Sequence, residues 1–488
     1  MSFLKKYADL SNWKLFFITA IVIKLALLSF IITLAHNWHG IVIQPDDGSY
    51  FSAVDNFLYN HCYCYIANLP FAGRMPGYSL VYLLFRLVLS PTPAVMAVVV
   101  FQFLLSCISA YVLCLIAFNI FNSTRVAVLT FFLYCISAFP GIFDLYIVAE
   151  SLSASVFIFT LYYLFKAFES FEKRNKYLFL SGIFLTWAIF LRPYIGIFII
   201  IIPIFILSKL YVAKTATIKN LFISLLLFGL PFALCESAWV YRNYNATHRL
   251  ILLEDDMQLS YGKVYSLPWL AIDNLVYTWG EDATNFNEGS AGSYFRNVQD
   301  KAFKGFPARV FHNVSTYNND SLVHLKAMYM KYMTTRDTNE SKALEATILK
   351  LSEVYKQDYI THNRFAYYTY KPYTCLKRLI LSGGYRYIQF KGGTKSMLQK
   401  LVKITSVILY FFTLIFGTIG LVWCFVKKVA LPYVILFTAI SLTLVFTIIF
   451  YSEIQEPRYF MNVFILLVPF SAYLFDKIIS RKNIRQKA

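Results

Sequence analysis

Asp46-Asp47-Gly48-Ser49-Tyr50 sets two carboxylates side by side just beyond the first long apolar run of the chain. One carboxylate of such a pair can act as general base while the other binds a partner group or an ion. Further on, Gly73-Arg74-Met75-Pro76-Gly77-Tyr78 puts a cation at the start of another apolar run, where Pro76-Gly77 makes a sharp entry into a helix. A cation so placed can neutralise a phosphate. Charges beside a bilayer are costly unless they handle a charged substrate.

More charges recur at the ends of apolar runs. Glu150 lies early in the run 144–166, and Arg192 sits in a turn between two uncharged runs. Glu236 closes a run and is followed by Trp239-Val240-Tyr241-Arg242-Asn243-Tyr244. Arg458 stands in Glu456-Pro457-Arg458-Tyr459 at the start of the last run. Each has a plainer reading: adjacent acids can form a polar collar, and an Arg flanked by Tyr or Trp can be an interfacial anchor. Lys24, midway along the first run, either snorkels or pairs with an acid such as Glu150 or Glu236.

The elements that must position these residues are membrane helices. Of the 488 residues, 58% are hydrophobic and only 15% charged, and the mean hydropathy is +0.56. Several uncharged stretches reach the roughly 20 residues needed to cross a bilayer. The apolar runs are 15–35, 76–91, 93–120, 125–141, 144–166, 177–191, 193–209, 219–239, 402–426, 429–451 and 458–475. The fold class expected is an all-α polytopic membrane protein. The opening MSFLKK before the first run, with no small-residue cleavage site after it, reads as an uncleaved signal anchor.

The net charge of +19 would suggest nucleic acid in a soluble protein. Here much of it sits in short hydrophilic turns, so membrane lipids or a lipid phosphate are the expected partners and nucleic acid is not. Lys5-Lys6, the stretch 166–176, Lys209, Lys214, Lys219, Lys427-Lys428 and the tail 477–487 mark the cytoplasmic side. That places the loop 36–75 and the long hydrophilic stretch 240–400 outside, along with the turns at Pro140 to Asp144, Arg192 and Arg458. Two outer regions require an even number of crossings between them, yet seven apolar runs intervene. The short run 76–91, with Arg86 inside it, is expected to be a non-spanning helix. Seven crossings then precede the long stretch and three follow, with twelve crossings the alternative.

Three units result: 1–239 with the first loop, an extracytoplasmic domain at 240–400, and 401–488 with the last spans and a basic tail. The middle unit is expected to be mostly helical, with an amphipathic helix across Asp337 to Tyr355. None of the eight cysteines has zinc spacing. Cys107, Cys114, Cys135, Cys235 and Cys424 read as packing residues. The state of Cys62 and Cys64 stays open, because a bridge between such near neighbours is strained.

In order, these pieces resemble the GT-C membrane glycosyltransferases, nearest the lipid A aminoarabinose transferases and protein O-mannosyltransferases. Asp46-Asp47-Gly48-Ser49-Tyr50 with the helix at Ser52 to Leu58 is similar to that family's acid pair and amphipathic helix. Arg74-Met75-Pro76-Gly77-Tyr78 is similar to its basic residue, Pro and Gly-Tyr. Pro140 with Glu150, Arg192-Pro193, Trp239 to Tyr244 and Arg458-Tyr459 follow in the family's order. Asp47 and Arg74 stand where relatives often carry Glu and Lys or His.

The resemblance implies a GT-C bundle of about 10–12 helices with its active site on the extracytoplasmic face of the plasma (inner) membrane. It implies a polyprenyl-phosphate-linked sugar donor and a glycan, lipid or protein acceptor. Asp46 would be the general base and Asp47 would orient a hydroxyl or an ion. Tyr50, Arg74, Tyr78, Glu150, Arg192, Arg242, Arg458 and Tyr459 would bind substrate. Some relatives hold a divalent cation, for which Asp47 and Glu150 are the candidate ligands. A lipid-linked glycan polymerase or ligase shares the donor. A transporter or flippase would call for midplane charges and internal repeats. Lys24 is the single midplane charge, and no repeat is seen.

Overall fold

The computed structural model describes residues 7, 9–35, 47–66, 69–170, 172–213, 217–255, 266–281, 288–381, 396–451 and 456–485. Their secondary structure is helical apart from one isolated bridge, Cys64 to Pro70. A bilayer imposes this choice, because every backbone N–H and C=O must find its partner within the protein.

The bundle is built from α1 (Trp13–Ala35), α4 (Pro91–Phe121), α5 (Thr124–Ile136), α6 (Glu150–Glu169), α7 (Arg174–Leu191), α8 (Phe198–Val212), α9 (Ile218–Thr247), α14 (Met397–Val426), α15 (Leu431–Phe446) and α16 (Met461–Arg485). Before α4 lie two shorter helices, α2 (Asp47–Asn60) and α3 (Gly77–Arg86). Among the described residues eight segments are long and apolar enough to cross a membrane, and the chain is a multi-pass membrane protein. α5 and α7 stand between them, so seven bundle helices precede the interposed region and three follow. α3 has 10 residues and is therefore about 15 Å long, half of a hydrocarbon core. Its Arg86 donates to Asp55 Oδ1 (2.8 Å) and Tyr59 Oη (2.7 Å) on α2, fastening the two short helices together. α9 continues past the boundary expected at residue 239, to Thr247.

Lys24 pairs with neither Glu150 nor Glu236. Its Nζ donates to Asp144 Oδ2 (2.8 Å) and Ser106 Oγ (2.6 Å) and lies over the Tyr134 ring. Lys24 is midway along α1, so the link between α5 and α6 dips into the bundle instead of lying at its surface, as expected of Pro140 to Asp144. Gln102 on α4 makes this possible by donating to the carbonyls of Asp144 (2.9 Å) and Tyr146 (2.8 Å). Non-helical backbone at membrane depth is tolerated where protein buries and satisfies it.

The interposed region carries α10 (Leu267–Thr278), α11 (Asn319–Thr334), α12 (Thr338–His362) and α13 (Lys371–Leu381). α12 contains the amphipathic stretch expected, and Asp337 caps it by accepting from the Asn339 and Glu340 amides. Trp269, Ile272, Trp279, Leu322, Leu325, Ile348 and Tyr359 form a second core, separate from that of the bundle. Asp358 ties this core together by accepting from the Ser315 and Thr316 amides and the Thr316 hydroxyl, each at 2.8 Å. α13 leads back to the bundle. It packs on the turn Pro457–Phe460, and the Ile380 carbonyl accepts from Tyr410 Oη (2.7 Å) on α14. Cys62 and Cys64 are bonded to each other, whereas Cys107, Cys114, Cys135 and Cys424 are buried free thiols and Cys235 is an exposed one.

Candidate active site

The first loop brings its cation back onto α2. Asp46 lies outside the described residues, as does the side chain of Asp47, the first residue of α2. Ser49 and Tyr50 follow and are buried. Arg74 Nε donates to Ser49 Oγ (2.8 Å) and Nη1 to Tyr50 Oη (3.3 Å), with its guanidinium over the Tyr50 ring at 4.8 Å. The Tyr50 ring meets that of Tyr78 at 4.7 Å, and Tyr78 Oη donates to Gln102 Oε1 (3.1 Å). Arg74, Tyr50 and Tyr78 thus form one group beside the N-terminus of α2.

Gly77 joins this group to the next. A Cβ at Gly77 would run into the backbone of Phe190 and Leu191 at the end of α7, so the helix entry there needs glycine. The Trp187 indole also donates to the Gly77 carbonyl (3.2 Å). Arg74 and Arg192 thereby flank a single backbone contact, three residues before Gly77 and two after Phe190.

The second group is centred on Glu150, the first residue of α6, which is 3% exposed. Arg192 (5% exposed) is ion-paired with Glu150 Oε1. Arg458 Nε lies 3.4 Å from the same oxygen and is also paired with Glu456. Both guanidiniums lie over the Tyr459 ring, at 5.2 Å for Arg192 and 5.7 Å for Arg458. The Tyr194 ring is 5.4 Å from that of Tyr459, and its hydroxyl accepts from Asn462 Nδ2 (3.3 Å). A buried charge is stable only when paired and hydrogen-bonded. Here the two guanidiniums crowd one oxygen of Glu150, while Glu456 supplies the second acid, so the two cations are matched by two acids. Glu150 thus faces two cations through Oε1. Among the described residues no group of three or more His, Cys, Asp or Glu could hold an ion.

Arg242 is not part of this set. Its Nη1 donates to the Phe71 carbonyl (2.7 Å) and Asn243 Oδ1 (2.8 Å), and its Nη2 to the Tyr63 carbonyl (2.8 Å). The guanidinium is held at 5.1 Å from both the Tyr63 and Trp239 rings. These bonds brace the first loop against α9. The structure therefore brings together Tyr50, Arg74, Tyr78, Glu150, Arg192, Arg458 and Tyr459, and sets Arg242 aside as a strut.

Sequence reasoning passed over Glu254. This residue follows α9 on a segment lying against the first loop, where the Asp255 amide donates to the Ala72 carbonyl (2.9 Å). Its side chain is open to solvent although protein surrounds it, the setting of a cleft wall. Burial raises its carboxyl above the ordinary value, against the pull of the Arg74 and Arg192 guanidiniums. The signal was present in the sequence, since Glu254-Asp255-Asp256 sets three consecutive acids after the short apolar stretch Leu250 to Leu253.

No protein-family model and no curated protein matches this chain. Solved structures do. The archaeal oligosaccharyltransferase AglB from Archaeoglobus fulgidus, in complex with an inhibitory peptide and a dolichol-phosphate, superposes with a TM-score of 0.52 at 14% identity, over 98% of this chain and 52% of that one. The same oligosaccharyltransferase tethered to an acceptor peptide gives 0.53 at 14% identity, over 99% and 51%. ArnT from Cupriavidus metallidurans in the apo state gives 0.35 at 12% identity, over 95% and 78%. The chain spans about half the length of the oligosaccharyltransferase it matches. The fold is that of the GT-C membrane proteins, as the order of motifs led one to expect.

Proposed function

We propose that this chain is an integral-membrane glycosyltransferase that moves a sugar from a polyprenyl-phosphate donor to an acceptor on the extracytoplasmic face of the plasma membrane. The observation that carries the reading is the meeting of Arg74, Arg192, Arg458 and Glu150 at one end of a GT-C bundle. The same end receives α13 of the interposed region, the stretch that the basic clusters assign to the outside. The superposed oligosaccharyltransferase was solved with a dolichol-phosphate, a lipid phosphate of the kind this cluster suits.

In the proposed reaction Asp46 takes the proton of an acceptor hydroxyl. The hydroxyl oxygen bonds to the anomeric carbon as the bond from that carbon to the phosphate oxygen breaks. The bonding pair leaves with the phosphate, which departs as the free prenyl phosphate. Arg74, Arg192 and Arg458 bind that phosphate and stabilise the charge growing on it. Fixed cations in a site screened from water suit that task. Glu150 holds Arg192 and Arg458 in place, while Tyr50, Tyr78 and Tyr459 wall the site. Asp47 orients a substrate hydroxyl or a divalent cation, and the latter would sharpen the electrophile. The three-unit division at 239/240 and 400/401 belongs to the same proposal, with the middle unit on the acceptor side.

The test is sugar transfer in membranes supplied with a polyprenyl-phosphate sugar. Asp46→Asn should lose about 100-fold or more in rate, the range for loss of a general base. Transfer by that variant at the wild-type rate would sink the assignment of the base.

A further inference from the structure

Leu253 adopts a left-handed backbone conformation, with φ at 56°. Such a φ is uncommon for a residue other than glycine and persists only where the surroundings enforce it. Here the enforcement is visible. The Leu253 amide donates to Glu236 Oε1 (2.7 Å), and its carbonyl accepts from the Trp239 indole (2.6 Å). Its side chain packs beside Gly196, four residues beyond Arg192. The Asp255 amide is bonded to the Ala72 carbonyl, two residues before Arg74. Residue 254 is therefore clamped between the Arg74 loop and the Arg192 turn. Its neighbour Asp255 is buried, while Glu254 itself faces the solvent-accessible side.

The clamp fixes the backbone and leaves the carboxylate to move, since no ion pair with a described residue holds it. A strained, triply bonded segment that sets one acid between the loop of Arg74 and the turn of Arg192 has a cost that simple loop closure does not require. We infer that Glu254 is an anion stand-in, a carboxylate that balances Arg74 and Arg192 when no phosphate is bound and competes with the phosphate for them. This inference rests on the lipid-phosphate reading of the arginine cluster. On that reading Glu254 weakens the hold on the departing prenyl phosphate and helps to clear the site for the next donor.

The competition has a sign that a structural role lacks. Removing the charge of Glu254 should tighten phosphate binding, and reversing it should tighten binding further. A like charge at several ångströms in a partly screened site is worth about fivefold in affinity. The experiment is binding of farnesyl phosphate to the purified full chain in micelles, with farnesol as the uncharged control, for wild type, Glu254→Gln and Glu254→Lys. The expected result is affinity rising about fivefold at Gln and further at Lys. Affinity that is unchanged or lower in both variants, with the wild type still preferring farnesyl phosphate to farnesol, overturns the role given to Glu254. A wild type that binds farnesol as tightly as farnesyl phosphate overturns the phosphate-site reading, and the inference with it.

Discussion

Two buried charge clusters lie within the same bundle and differ in how far they are sealed. In the middle, Lys24 meets Asp144 one to one, at 0% and 1% side-chain exposure, with Ser106 and Ser151 completing the hydrogen bonds. At the end, Arg192 and Arg458 share Glu150, with Glu456 beside Arg458. The first cluster is neutral and closed, and it holds a non-helical link inside the bundle. The second also balances, two cations with two acids, but it is not sealed: the side chains of Arg458 and Glu456 are 15% and 27% exposed. Burial alone therefore does not mark a site. What separates the two clusters is access, closed around Lys24 and Asp144 and open at Arg458 and Glu456.

The sharpest way to break this contrast is at its closed member. Lys24→Met leaves Asp144 buried without its cation and should cost about 3–5 kcal/mol, read as a lower thermal midpoint in detergent. The double variant Lys24→Met with Asp144→Leu should recover most of that loss, because a buried pair can often be replaced by apolar residues without penalty. If the double variant is as unstable as the single one, the pair is more than a brace. At the open member the effect should fall on rate instead. Arg192→Ala is expected to lower sugar transfer by about 100-fold, the usual consequence of losing one donor to a developing charge, with the chain still folded. A variant that transfers normally but melts early would move Arg192 into the structural class.

Arg242 tests the contrast from a third side. Arg242→Ala removes a guanidinium bonded to the Phe71 and Tyr63 carbonyls, and about 1–3 kcal/mol of local stability with it. Limited proteolysis within 63–71 should become faster, while affinity for farnesyl phosphate changes little. The smallest effect concerns the interposed region. Burial of Asp358 acts to raise its carboxyl, but hydrogen bonds from Thr316 and Ser315 outweigh this and hold it below the ordinary value. A depressed carboxyl contributes stability above the unfolded pKa and loses it as pH falls through the folded one. The thermal midpoint of wild type should thus fall on acidification below the ordinary carboxylate range, and Asp358→Asn should show a shallower fall.

Much of the fold was legible because apolar length is local information. The runs located the bundle helices, and the shortness of 76–91 together with Arg86 marked α3 as unable to span. Arg74, Tyr50, Glu150, Arg192 and Arg458 were legible as site candidates because charges at run ends are conspicuous. What they touch was not. Lys24 and Asp144 are 120 residues apart, and no spacing along the chain pairs them. Trp239, Arg242 and Asn243 share one helix face by their spacing, but the sequence does not say which way that face turns. It turns toward the first loop, so a motif that reads as substrate-binding spends its donors on backbone carbonyls. Glu254 was missed because its position depends on the backbone twist at Leu253, which three distant partners impose.

Gly77 carries one more consequence. With no side chain between α3 and the end of α7, the loop of Arg74 and the turn of Arg192 meet backbone to backbone. The separation of the two backbones at this point is then set by main-chain contact. It is fixed when the protein folds, before any ligand arrives. Both arginines are carried on backbones already in place, so a ligand has only their side chains to order.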